Sequence, residues 1–105
     1  MRYGLEESVI KRLVTFFDKY NFIDKVMIFG SRARGDYGKS SDIDLCLFSD
    51  AMTSLEFSKL KFELDGLPIF YKIDIVHFER VDSQLQNNII KYGKNLIQSN
   101  HTQLF

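Results

Sequence analysis

Apolar residues recur at helical spacing near the start of the chain: Leu5, Val9, Ile10, Leu13, Val14, Phe17 and Tyr20, with Glu6, Glu7, Lys11, Arg12 and Asp18 between them. The spacing predicts an amphipathic helix from Glu6 to Tyr20, with Asn21 as its terminator. KVMIF, 25–29, is a short apolar run that ends on Gly30 and reads as a buried strand. DIDLCLF, 42–48, alternates: Ile43, Leu45 and Leu47 share one face, Asp42, Asp44 and Cys46 the other. Thr53 and Glu56 have the spacing of a capping box ahead of Phe57, Leu60 and Leu64. A second helix is expected to start there and to stop near Gly66 and Pro68. FYKIDIVHF, 70–78, predicts a third strand, with Ile73 and Ile75 alternating with Lys72, Asp74 and Val76. Ser83 and Gln86 repeat the capping-box spacing before a helix carrying Leu85, Ile89 and Ile90, with Gly93 as its stop. NLIQ, 95–98, fits either a short strand or a frayed helix, and the tail SNHTQLF is expected to be loose.

This order, helix–strand–strand–helix–strand–helix, predicts one α/β (α+β) domain over residues 1–105, a small mixed β-sheet flanked by helices. The length of 105 residues suits one modest core. Lys plus Arg and Asp plus Glu are both 14, so the formal net charge is zero. A protein held to nucleic acid by a general basic surface is thereby excluded, and any anion must be bound by local arrangement. The one cysteine, Cys46, lies in an apolar run and is expected to be a buried, reduced thiol rather than a nucleophile. With no apolar leader in MRYGLEESVIKR and no long apolar run, the expected location is the cytoplasm, with no membrane contact.

Chemistry concentrates in GSRARGDYGKSSDIDL, 30–45. Glycine after a strand lets the backbone turn tightly and lets a ligand approach the main chain. Ser31 can cap the helical turn that follows, and its hydroxyl with neighbouring N–H groups suits an anion. Arg32 and Arg34 add positive charge, so the stretch reads as a phosphate cradle. Asp42 and Asp44, two apart on a strand, point to the same side and repel each other unless a cation lies between them. Mg²⁺ prefers oxygen ligands and commonly joins protein carboxylates to substrate phosphates. Asp74 is a third carboxylate, set between isoleucines on another strand. If the two strands are neighbours, all three acids meet, and two metal ions on such a set suit in-line attack with pyrophosphate leaving. Singly, each feature also has a plain structural reading: D-x-D as a solvated strand end, Gly-Ser as a turn, Asp74 as a partner for Lys72 or for an arginine elsewhere. Together, four fixed identities at set spacing arise by chance in about one chain in a thousand of this length.

Gly30-Ser31, ten intervening residues, then Asp42-x-Asp44 resembles the signature of the DNA polymerase β-type nucleotidyltransferase superfamily, and GSRARG with SDIDL is similar to its minimal bacterial and archaeal members. The resemblance covers nearly the whole chain and implies the polymerase β-like fold. It implies that Gly30 and Ser31 hold the triphosphate of ATP, with Arg32, Arg34 and Ser41 as further nucleotide contacts. Asp42 and Asp44 would bind Mg²⁺, two ions being expected. Asp74 matches the third acid, which helps bind a metal on the nucleophile side and takes the proton of the attacking hydroxyl. Relatives often carry alanine or proline where this chain has DYGKSS, 36–41.

Many small relatives are antitoxins that transfer AMP from ATP to a tyrosine hydroxyl of a helical, RNA-cleaving HEPN toxin. The resemblance therefore implies a HEPN-family partner, a homo- or hetero-oligomer being compatible with it. The chain leaves no residues for a separate acceptor domain, which a partner would replace. Two rival readings remain: transfer to a small hydroxyl compound, and a non-catalytic nucleotide- or partner-binding module. His77 lies on the face opposite Asp74 and is expected to be a core or rim residue; His101 is expected to be solvated, and no Cys/His cluster suggests zinc. Phe16, Phe17, Phe29, Phe57, Phe62 and Phe78 are most simply core, with an interface patch as the alternative for some of them, since a small domain cannot easily bury ten phenylalanines. Tyr3, Tyr37 and Tyr71 are structural by default, with stacking on a base as the alternative.

Overall fold

The computed structural model describes residues 1–98; the tail 99–105, including His101, lies outside the described residues. The first helix, α1, runs Glu7–Asp18 and buries Val9, Ile10, Leu13, Phe16 and Phe17 on one stripe. It stops short of Tyr20 because its last turn tightens: the N–H groups of Lys19 and Tyr20 bond the carbonyls of Phe16 and Phe17, three residues back. Strand β1 spans Lys25–Phe29, and one helical turn, α2, spans Ser31–Arg34. Strand β2 spans Ile43–Phe48, α3 Ser54–Asp65, β3 Ile73–His77, α4 Ser83–Tyr92 and β4 Lys94–Gln98.

The four strands form one sheet in the order β3-β2-β1-β4. β1 pairs antiparallel with both β2 and β4. The α3 crossover returns the chain to the same end of the sheet, so β3 pairs parallel with β2. The 95–98 segment, open to two readings in sequence, is a strand: the free edge of β1 takes it, with Ile97 opposite Val26.

Each sheet face has its own core. Val26, Ile28, Ile43, Leu45, Leu47 and Ile75 pack with the buried stripes of α1 and α3. On the other face, Met27, Cys46 and Phe48 pack against Ile89 of α4. Burial, with a smaller push from Glu79, moves the Cys46 thiol pKa up to about 12 despite Lys25, so it stays protonated.

Local chemistry sets the helix ends. Thr53 Oγ1 accepts the Glu56 N–H at 3.1 Å and Glu56 Oε1 accepts the Thr53 N–H at 2.9 Å, the reciprocal cap expected from the spacing. At α4 the expected box is displaced. Asp82, not Ser83, is the N-cap, its Oδ1 accepting the Leu85 N–H at 2.8 Å, while Gln86 turns away to donate to the Phe78 carbonyl at 2.8 Å. Gly93 is the C-cap of α4, and the position has no room for a side chain: a Cβ there would run into the Ile89 carbonyl and stand 2.9 Å from Met27 Cε. Phe62 is a correction to the core expected from sequence. It is 81% exposed, because α3 turns Leu60 and Leu64 inward and Phe62 falls on the opposite side. Among the described residues no helix is long and apolar enough to cross a membrane.

Candidate active site

The end of β1 delivers Gly30 in a conformation with φ 72° and ψ −153°, a region open essentially to glycine alone. The reason for glycine is also one of space. A Cβ on Gly30 would run into the carboxylate of Asp44 on the neighbouring strand. The Gly-Ser turn and the D-x-D strand therefore meet at one point. Gly30, not Ser31, is the N-cap of α2, with no side-chain cap bond, so the expected cap by Ser31 is not formed. Gly30→Ala combines backbone strain with this collision. We expect it to cost about 2–3 kcal/mol, read as a lower midpoint in urea, together with loss of any activity that needs Asp44 in place.

The parallel register puts Asp44 directly beside Asp74 and Ile43 beside Ile73. Paired residues project from the same side of a sheet, so two of the three acids stand side by side on the face that also carries Cys46 and α4. Asp42, immediately before β2, and Asp74 are exposed, whereas Asp44 is half-buried. Burial raises the pKa of the Asp44 carboxyl, and the negative charges of Asp74 and Asp42 raise it further; Arg34 and Arg32 pull it part of the way back. Lys72 is not the partner of Asp74, as neither residue belongs to an ion pair among the described residues.

Among the described residues no three His, Cys, Asp or Glu side chains form a ready-made metal cage. The donor set nonetheless suits a hard divalent cation: it is all carboxylate oxygen, and Asp42 and Asp74 disfavour charge on Asp44, a penalty that a cation would relieve.

Arg32 is turned inward, away from the role of phosphate contact expected of it. It is 2% exposed. Its Nη1 donates to the Tyr3 carbonyl at 2.9 Å, and its Nε and Nη2 donate to the Ser41 carbonyl at 3.1 and 2.8 Å. Nη2 also reaches the Lys39 carbonyl at 3.5 Å. The Tyr37 and Tyr71 rings lie 5.3 and 5.0 Å from the guanidinium carbon, within cation–π range. The guanidinium thus fastens the 36–41 loop to the N-terminal turn and sets the residue just before Asp42. Ser41 also turns its hydroxyl back into the loop, where Oγ accepts the Gly38 N–H at 2.8 Å. Arg34 differs: its side chain is exposed, and its one ion pair, to Asp36 at 3.4 Å, is a solvent-screened contact.

His77 lies on the other face, as alternation predicts. Its Nε2 is 2.8 Å from the Ser49 carbonyl and 3.0 Å from Glu79 Oε1, and its ring stacks on Phe57. It joins the far ends of β2 and β3 and takes no part in the acid cluster. Sequence reading missed a hollow of about 420 Å³ on the outer side of Asp74, to which Lys61 and Lys72 contribute. Its one sequence signal was Lys72 standing two residues before Asp74.

A family model described as "Polymerase beta, Nucleotidyltransferase" matches residues 11–102. Two relatives from Methanocaldococcus jannaschii, MJ0141 and MJ0604, carry the name "Putative protein adenylyltransferase". The first is 35% identical over 60 residues, 48% of this chain and 61% of its own length. The second is 47% identical over 47 residues, 43% of this chain and 47% of its own length. The chain thus spans about half to three-fifths of each. Among solved structures, a toxin–antitoxin complex with AMP-PNP superposes with a TM-score of 0.70 at 18% identity, over 90% of this chain and 77% of that one. A minimal nucleotidyltransferase structure gives 0.67 at 24%, over 90% and 95%. The MNT antitoxin bound to a tri-AMPylated HEPN toxin of Shewanella oneidensis gives 0.61 at 17%, over 95% and 78%. At these identities the structures establish a shared fold.

Proposed function

We propose, for a chain that belongs to the polymerase β nucleotidyltransferase family, the transfer of AMP from ATP to a tyrosine hydroxyl of a HEPN-type toxin, which the chain thereby silences. The observation that carries the reading is the meeting of the Gly30 turn after β1 with Asp44 on β2 and Asp74 on β3. The names of the M. jannaschii relatives and the complexes of the structural neighbours support the acceptor class.

In this reading the Gly30-Ser31 turn and the exposed cation of Arg34 hold the triphosphate, and Ser41 keeps the loop beside it closed. Arg32 acts from behind by holding that loop. Asp42, Asp44 and Asp74 would hold Mg²⁺, two ions being expected. When bound, Mg²⁺ would neutralise charge on the phosphates and on the departing pyrophosphate. The acceptor hydroxyl approaches beside Asp74, whose carboxylate takes its proton. The hydroxyl oxygen forms the new bond to the α-phosphorus of ATP, and the bond from that phosphorus to the bridging oxygen breaks, releasing pyrophosphate. The family's fold does not choose the acceptor, so the test must identify the chemistry. The phosphorus product released from ATP in the presence of Mg²⁺ and an acceptor distinguishes the readings. Pyrophosphate is expected. Orthophosphate would indicate a different cleavage, and unchanged ATP in the presence of a bound partner would favour the non-catalytic module.

A further inference from the structure

The sheet order lays the site out in a line. Gly30 directly follows β1, Asp44 lies on β2 and Asp74 on β3, which is an edge strand of the sheet. With the donor triphosphate at the Gly30 end, the acceptor enters from the β3 side, where the hollow of about 420 Å³ opens. Asp74 forms one of its walls, together with Lys61, Asp65 and Lys72, over an apolar floor that includes Ile69 and Tyr71. Lys61 and Lys72 are exposed, and neither is in an ion pair among the described residues. Two uncommitted ammonium groups beside an apolar floor are the setting for an anion attached to a partly apolar body. The proposed reaction makes such a molecule. A transferred AMP is a phosphodiester anion that carries free ribose hydroxyls.

We propose that Lys61 and Lys72 form an acceptor-side phosphate subsite, which grips a phosphoryl group already joined to the acceptor and thereby presents a hydroxyl beyond it to Asp74. The subsite rests on the transfer reading for its place in the reaction. In a further transfer, a ribose hydroxyl of the attached AMP gives its proton to Asp74. Its oxygen bonds to the α-phosphorus of a new ATP, and pyrophosphate leaves. The lysines discriminate among acceptors, since they favour those that already bear a phosphoryl group.

The test is a titration of the ¹⁵N-labelled full chain without metal, followed by NMR, with three short peptides. These carry tyrosine, phosphotyrosine or adenylylated tyrosine. The phosphoryl peptides are expected to move the signals of residues 61–65 and 71–74, at least tenfold more tightly than the plain peptide. The K61Q/K72Q variant, altered only at exposed positions, is expected to lose that preference while keeping its spectrum elsewhere. Tighter binding of the adenylylated peptide than of phosphotyrosine identifies an attached nucleotide as the source of the phosphate, and equal binding identifies any phosphate monoester or diester. Equal binding of the plain peptide would overturn the proposal, as would unaltered binding by the variant or shifts confined to residues 30–35. Pyrophosphate release is scored separately. Its absence from the wild type would sink the transfer reading and leave the result of the titration unaffected.

Discussion

Asp44→Asn is expected to abolish AMP transfer and, at pH 7, to make the protein more stable. Removing one of the acids proposed to hold the cation should lower the rate on the order of 10³-fold. The stability change has the opposite sign. The folded pKa of Asp44 lies above its ordinary value of 3.8, because the group is partly buried and flanked by Asp74 and Asp42. The folded state therefore binds the Asp44 proton more tightly than the unfolded state does. Stability falls as pH rises from the ordinary value through the folded one, and the full penalty is present at neutral pH. The asparagine variant is relieved of this penalty, which solvent screening keeps small, so its Tm should be higher than that of the wild type at pH 7. Thermal melts of the two proteins at pH 7 and pH 3.5 check the sign. The gap should be open at pH 7 and should narrow at pH 3.5, below the ordinary value of 3.8, as both states take up the proton. A variant that is inactive because it unfolds would show the reverse at pH 7.

The second large effect is expected at Arg32, and it is one of stability. Arg32→Ala removes the donors from the carbonyls of Tyr3, Lys39 and Ser41 in a setting where the arginine is 2% exposed. Part-buried carbonyls left without their donor and the lost volume of the buried arginine should together destabilise the fold by about 2–4 kcal/mol. Arg32→Lys should recover less than half of this, since a single ammonium cannot fork to carbonyls on separate segments. Urea unfolding of the three proteins gives the measure. A side chain that only touched phosphate would leave the unfolding midpoint unchanged and weaken ATP binding alone.

Arg32 also shows where sequence reading stops. Charge near a Gly-Ser turn suggests an anion contact, and nothing local announces a carbonyl 29 residues upstream. The D-x-D strand was legible because alternation fixes which side chains share a face. Its pairing with Asp74 was not, since β3 reaches β2 only through the α3 crossover and one slip in register would part the two acids. Gly30 could be marked as a turn from sequence, but its contact with Asp44 belongs to the antiparallel pairing of β1 and β2. The cap of α4 was displaced by one residue because Asp82 and Ser83 are both good caps and sequence spacing does not choose between them. Lys61 and Lys72 lie on different elements, and only the fold brings them to one hollow.

The central claim is that the acids of β2 and β3, beside the Gly30 turn, transfer AMP to a protein hydroxyl. Intact mass of a HEPN-type partner, after incubation with this protein, ATP and Mg²⁺, tests it most directly. A gain of one or more AMP units, absent with Asp42→Asn, is the expected result. An unmodified partner that still forms a stable complex, or an equal gain with Asp42→Asn, would contradict it.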